Sequence, residues 1–96
     1  MKINDAVKRK RSEILRTVFQ YGGKNVRLFG SVARGVATAS SDLDILLDME
    51  NGRSLLDLVA IQQDLEDLLG RPVHVVTESS LSPYFRDEVL KEAMSL

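Results

Sequence analysis

A small α+β fold, with a mixed three-stranded sheet packed against helices, is what the 96-residue sequence predicts. Two observations on the segments and one on size lead there. The order of periodic segments reads helix, strand, short turn, strand, helix, strand, helix. Between the second and third strands lies a long amphipathic stretch, for which a right-handed parallel crossover is the default, whereas the first two strands are joined by too short a segment for such a crossover and pair antiparallel. A chain of this length buries one modest core and no second, so residues 1–96 read as one domain.

The first helix is expected from Asp5 to Tyr21, because Val7, Ile14, Leu15, Val18 and Phe19 recur at roughly helical spacing, with Asn4 or Asp5 as cap and "YGG" as stop. "NVRLFG" alternates as a first strand ending at Gly30, "SVARG" reads as one helical turn closed by Gly35, and "VATASS" as a polar loop. The second strand, "LDILLDM", is nearly continuous in apolar residues between its carboxylates, the pattern of a central strand buried on both faces. Ser54 then caps "LLDLVAIQQDLEDLLG", with Leu55, Leu58, Val59, Gln62, Leu65 and Leu69 assigned to one face and Gly70 ending the helix. "PVHVVT" supplies the third strand, and "SPYFRDEVLKEAM" a last short helix with Ser82 at the cap and Pro83 at the first helical position.

Composition excludes several classes of function. The net charge of −1 gives no bulk attraction to nucleic acid or an anionic membrane. The absence of cysteine removes disulfides, zinc–thiolate sites and thiol nucleophiles together. Neither a run of eighteen apolar residues nor the apolar middle of a signal peptide is present, so a cytoplasmic location is expected and a membrane partner is not. The basic run Lys8, Arg9, Lys10, Arg11 raises RNA as a ligand, but four consecutive residues spread around a helix and form no stripe, so RNA binding is not expected.

The chemistry is concentrated in "LFGSVARGVATASSDLDILLD". Residues two apart in a strand face the same way, with Cα atoms about 6.6 Å apart, so Asp42 and Asp44 aim together while Leu43 turns into the core. Two neighbouring anions resist ionisation unless a cation lies between them, and Mg²⁺ is the natural one, since it takes one or two carboxylates and completes its shell with water and substrate phosphates. Gly30 permits a sharp turn with its amides open to a phosphate. Ser31 adds a hydroxyl, and Arg34, three residues on, returns to the same side as a phosphate partner. Each part alone is commonplace; joined at strand boundaries on one end of the sheet, they suggest a nucleoside triphosphate with its metal.

Gly30-Ser31, ten residues, then Asp42-Leu43-Asp44 resembles the signature of the nucleotidyltransferase superfamily that shares its catalytic fold with DNA polymerase beta. The fuller string, the small size and the tail "SPYFRDEVLKEA" are similar to the minimal branch of that superfamily, the MNT-type antitoxins paired with HEPN toxins. The resemblance implies transfer of AMP from ATP to an acceptor hydroxyl with release of pyrophosphate. In the antitoxin branch it implies that the acceptor is a tyrosine of the HEPN partner, with which the chain can form a hetero-oligomer. It assigns Asp42 and Asp44 to metal binding and catalysis, Gly30 and Ser31 to the triphosphate, and Arg34 to a supporting role.

One position departs from the pattern. Where the family carries a third carboxylate on the strand after the long helix, "GRPVHVV" places His74. A neutral imidazole is a poor ligand for Mg²⁺ and contributes no charge, although it can serve as a general base near neutral pH. Three readings stand: a bystander with Glu78 or Asp48 completing the site, a base in an altered enzyme, or a degenerate site that binds its partner without chemistry. On the last helix Leu81, Tyr84 and Phe85 offer a docking surface, with core packing expected for at least two of them.

Overall fold

A computed structural model describes residues 3–38 and 41–96, with side chains from Asp5 onward, so the Ala39–Ser40 part of the expected loop lies outside the described residues. Helices α1 (Ile3–Arg9) and α2 (Arg11–Gln20) lead into β1 (Gly23–Phe29), the one-turn α3 (Gly30–Ala33) and β2 (Leu43–Met49). There follow α4 (Leu55–Leu69), β3 (Val73–Thr77), a short 3₁₀ turn at Glu78–Ser80, α5 (Pro83–Glu92) and β4 (Met94–Ser95).

The sheet has four strands in the order β3-β2-β1-β4, not three. β1 runs antiparallel to β2 and β2 parallel to β3, as expected. The additional strand, β4, pairs antiparallel with β1 through Arg27 opposite Ser95 and Leu28 opposite Met94. Two residues carry no period of their own, and the last helix, expected to reach Met94, stops at Glu92 to free them.

The inner position of β2 explains its composition. Leu43, Ile45 and Leu47 are fully buried in the core cluster with Val7, Ile14, Val18, Ile61, Leu65 and Val73. Leu46 is equally buried but lies outside that cluster, on the other face of the sheet. A strand covered on both sides has no room for solvated residues along its middle, and its carboxylates fall near the two ends.

Helix α4 is bounded by local chemistry. The Ser54 hydroxyl accepts from the Leu56 amide, Asp57 accepts from the Ser54 amide, and Gly70 closes the helix at φ 67°. Such a positive φ suits glycine, which has no Cβ to clash. The buried face is carried by Ile61 and Leu65, flanked by Leu58, Leu68 and Leu69; of the expected set Leu58, Leu65 and Leu69 lie on it, whereas Leu55 and Val59 are exposed and Ile61 is not in that set.

The first helix also differs from expectation. It begins at Ile3, so Asn4 and Asp5 lie inside it, and it breaks at Lys10, where the chain bends at φ −103°, ψ 14°. The bend lets the Lys10 ammonium donate to the Leu68 carbonyl at 3.0 Å, a cation placed on the last turn of α4, while the Arg11 guanidinium donates to the Leu96 carbonyl at 3.0 Å. Two members of the basic run are therefore structural. Phe19, assigned to the buried stripe, is exposed.

Helix α5 has Val89 and Leu90 half-buried and no residue wholly buried. Leu81 is half-buried, but Tyr84 and Phe85 are exposed at 89% and 61%, so the expectation that at least two of the three pack in the core does not hold. No described helix is long and apolar enough to cross a membrane.

Candidate active site

β1 leads into Gly30 and β2 carries Asp44, with Asp42 just before its first residue, to the same end of the sheet, because the antiparallel register sets Phe29 opposite Asp44. Gly30 adopts φ 72°, and a Cβ built on it would collide with Oδ2 of Asp44. The glycine thus serves both demands made at this corner: it takes the left-handed turn, and it leaves the space the carboxylate fills. Gly30→Ala is expected to lower the melting temperature by about 5–10 °C, from roughly 1–2 kcal/mol of backbone strain, and to swing Asp44 off the site. Differential scanning calorimetry with an ATP titration checks it; unchanged melting and ATP uptake would contradict this account of the corner.

The next donor is Ser31. It opens the single turn of α3, and among the described residues its hydroxyl has no hydrogen-bond partner. Arg34 caps the turn, with its own amide donating to the Gly30 carbonyl at 3.1 Å. Its guanidinium is held on one side by Glu92, where Nη1 reaches Oε2 at 3.2 Å and Oε1 at 3.4 Å. The same Glu92 Oε1 accepts the Gly30 amide at 2.8 Å, so that amide is not, as expected, open to a phosphate. Nothing local in "LKEAM" marks Glu92; only the pairing of β4 with β1 brings it here.

On the far side of the pair stands His74. The parallel register sets it opposite Asp44, and its Nε2 lies 2.9 Å from Oδ2 of Asp42. The position expected to hold a third carboxylate therefore does reach the acidic pair, with an imidazole. Asp48 and Glu78 do not reach it. Asp48 binds Asn25 and Arg27 toward the opposite end of β2, and Glu78 pairs with Arg86 and Arg27. Neither completes the site.

The electrostatics single out Asp44. Burial pushes its carboxyl above the ordinary carboxylate value, Asp42 and Glu92 add to the rise, and His74 and Arg34 work against it. A half-buried acid beside a second acid is a site that a cation would relieve. Among the described residues no three or more His, Cys, Asp or Glu side chains converge as a metal cage. Two carboxylates do suit Mg²⁺, which is typically held by one or two protein carboxylates and by substrate phosphates. The arrangement is an open corner, and neither principal hollow, one lined by Val7, Leu28, Val32 and Met94, the other by Asp48, Thr77 and Arg86, contains the pair.

Comparison with known proteins agrees with this geometry. Residues 3–96 match the family described as "Nucleotidyltransferase domain". A relative in Methanocaldococcus jannaschii named "Putative protein adenylyltransferase MJ0435" is 41% identical over 96 residues, covering 100% of this chain and 99% of that one. Among solved structures, one described as "Structure of putative minimal nucleotidyltransferase" superposes with a TM-score of 0.87 at 43% identity, covering 100% of this chain and 97% of the other. A chain from a crystal structure of "the toxin-antitoxin MntA-HpeT", carrying a tyrosine-to-alanine mutation, superposes with a TM-score of 0.71 at 25% identity, over 93% of this chain and 70% of its own length. With its glycine-serine corner, its paired aspartates and a match along nearly its whole length, the chain belongs to the nucleotidyltransferase domain family, in the minimal, MNT-type branch.

Proposed function

We propose that this chain is an antitoxin that transfers AMP from ATP to a hydroxyl of a partner toxin. The observation that carries the reading is the approach of Asp44 to Gly30 at the corner that Ser31 continues, with Asp42 two residues away and near enough to raise the Asp44 carboxyl. The named activity of the Methanocaldococcus relative and the toxin–antitoxin complex among the structural neighbours support it. The resemblance to MNT-type antitoxins favours a HEPN toxin as partner and a tyrosine as acceptor, and a tyrosine is the residue altered in that neighbouring complex.

In this reaction the acceptor oxygen bonds to the α-phosphorus, the α–β anhydride bond breaks, pyrophosphate leaves and the hydroxyl proton passes to a base. Ser31 donates its free hydroxyl to a phosphate oxygen, and the amides of the following turn and Arg34 complement the negative charge. Asp42 and Asp44 would hold Mg²⁺, which supplies Lewis-acid stabilisation of charge on the phosphoryl oxygens. The imidazole of His74, in contact with Asp42, is placed to orient that carboxylate or to take the proton. A site this open provides few groups to orient an acceptor, and orientation accounts for much of the rate in such transfers. The toxin must bring its hydroxyl in a defined pose.

A second reading rests on His74 itself. By bonding Oδ2 of Asp42 without adding a negative charge, it weakens the metal site, which favours an antitoxin that silences its partner by complex formation alone. One experiment separates them: incubation with labelled ATP, Mg²⁺ and the toxin encoded beside the gene, using the native chain and His74→Asp. Label on a toxin tyrosine with the native chain is the expected outcome. Label only with His74→Asp would establish the second reading, and label with neither would exclude transfer.

A further inference from the structure

The position of Glu92 is a product of strand register. In the β1–β4 ladder Arg27 faces Ser95 and Leu28 faces Met94, and the Leu96 amide donates to the Val26 carbonyl at 3.0 Å. Continued in the other direction, that register sets position 92 opposite position 30. The backbone cannot pair there, because Glu92 is still the last residue of α5. Its side chain does so instead, accepting the Gly30 amide at 2.8 Å. An amide that would otherwise face the end of the ladder unpaired is thereby aimed and satisfied.

The same carboxylate grips Arg34 in a particular way. Both of its contacts fall on Nη1, at 3.2 and 3.4 Å. A paired fork would have used two nitrogens; here Nη2 and Nε have no partner among the described residues. The guanidinium, at the end of a side chain 56% exposed, is tethered at one corner with its remaining donors available. A long exposed side chain without such a tether spreads over many rotamers and binds anions less well for it.

We propose that Glu92 is a positioning residue for the phosphate-binding turn, fixing the Gly30 amide and presenting the free edge of Arg34 to the triphosphate. The proposal rests on the nucleotide-binding reading above. It makes the end of α5 part of the site, although the residue sits sixty-two positions from Gly30 in the chain.

The test uses the full chain with Glu92→Gln, Glu92→Ala, Arg34→Ala and the Arg34→Ala/Glu92→Gln double variant. Amide exchange at Gly30, followed by NMR, is expected to stay protected in Glu92→Gln, whose side-chain oxygen still accepts, and to accelerate at least about tenfold in Glu92→Ala. Calorimetric titration with ATP and Mg²⁺ is expected to show about tenfold weaker binding in Glu92→Ala and a smaller loss in Glu92→Gln. In the Arg34→Ala background Glu92→Gln is expected to change nothing further, a coupling that a merely structural contact would not produce. Tighter ATP binding by Glu92→Gln would overturn the proposal by showing that the carboxylate competes with phosphate. Unchanged Gly30 exchange in Glu92→Ala, or additive losses, would overturn it as well. If the unaltered chain takes up no ATP, the functional reading itself falls and this proposal with it, an outcome that the native titration alone identifies.

Discussion

Replacement of Asp42 or Asp44 by asparagine is expected, if the proposed AMP transfer holds, to leave a folded protein that transfers AMP at least about a thousandfold more slowly, since a charge proposed to hold the metal is removed at constant volume. The stability side of the expectation has a definite sign. Burial raises the Asp44 carboxyl above its unfolded value, so in the metal-free chain the folded state prefers the protonated form. That preference favours folding below the unfolded value and is lost as pH rises through the raised folded one. At neutral pH Asp44→Asn removes an ionised group that the fold disfavours, and melting should stay level or rise. Transfer of labelled AMP together with thermal melts at pH 7 measures both. More than a tenth of the native rate in either variant would take the carboxylates out of the chemistry.

Ile45→Ala is expected to cost about 2–5 kcal/mol, the range for emptying a fully buried aliphatic site, and to lower the melting temperature by about 10–25 °C. Ile45 has no exposed surface, and it sits between Leu28 on β1 and Val75 on β3 in the centre of the sheet. Small domains are stable by only about 5–15 kcal/mol, so this one change can remove a third or more of the total. Phe19→Ala, at a side chain 76% exposed, provides the contrast and should move stability by no more than about 0.5 kcal/mol. Equal losses in the two variants, read by urea titration, would mean that the core has been misassigned.

The contrast between these sites bears on what can be read without coordinates. Features governed by neighbours in sequence were legible: the Ser54 cap and Gly70 stop of α4, the Ser82-Pro83 start of α5, the glycine-serine turn, and the two-sided burial of β2. Each rests on a steric or hydrogen-bonding rule that acts within a few residues. The bend at Lys10 was hidden because no glycine or proline marks it and the helical hydrogen bonds continue across it, from the Lys10 amide to Ala6 and from Ile14 to Lys10. The buried face of α4 is legible at Leu58, Leu65 and Leu69, but the pattern passes over Ile61 and takes in Leu55 and Val59, since its apolar residues outnumber the positions the sheet can cover. β4 escaped notice because its existence depends on a partner strand more than sixty residues earlier.

At the site the same distinction applies. Asp42, Asp44, Gly30 and Ser31 lie within one short stretch, and their spacing betrays them. That His74 bonds Asp42 follows from the offset of β3 against β2, and that Glu92 serves Gly30 follows from the offset of β4 against β1. Single-sequence periodicity does not encode either offset.

The covering of β2 on both flanks bears on how the reaction is accommodated. The two aspartates stand at the end of a strand packed on both faces, where any displacement would have to drag Leu43, Ile45 and Leu47 out of close contact. α5, by contrast, has no wholly buried residue and is tied near its ends by Arg86 to Glu78 and by Glu92 to Gly30 and Arg34. Lifting it forfeits little apolar contact. On the proposed reading, adjustment to acceptors of different shape falls to the exposed first turns of this helix, its end staying held by Glu92, while the carboxylates keep their place.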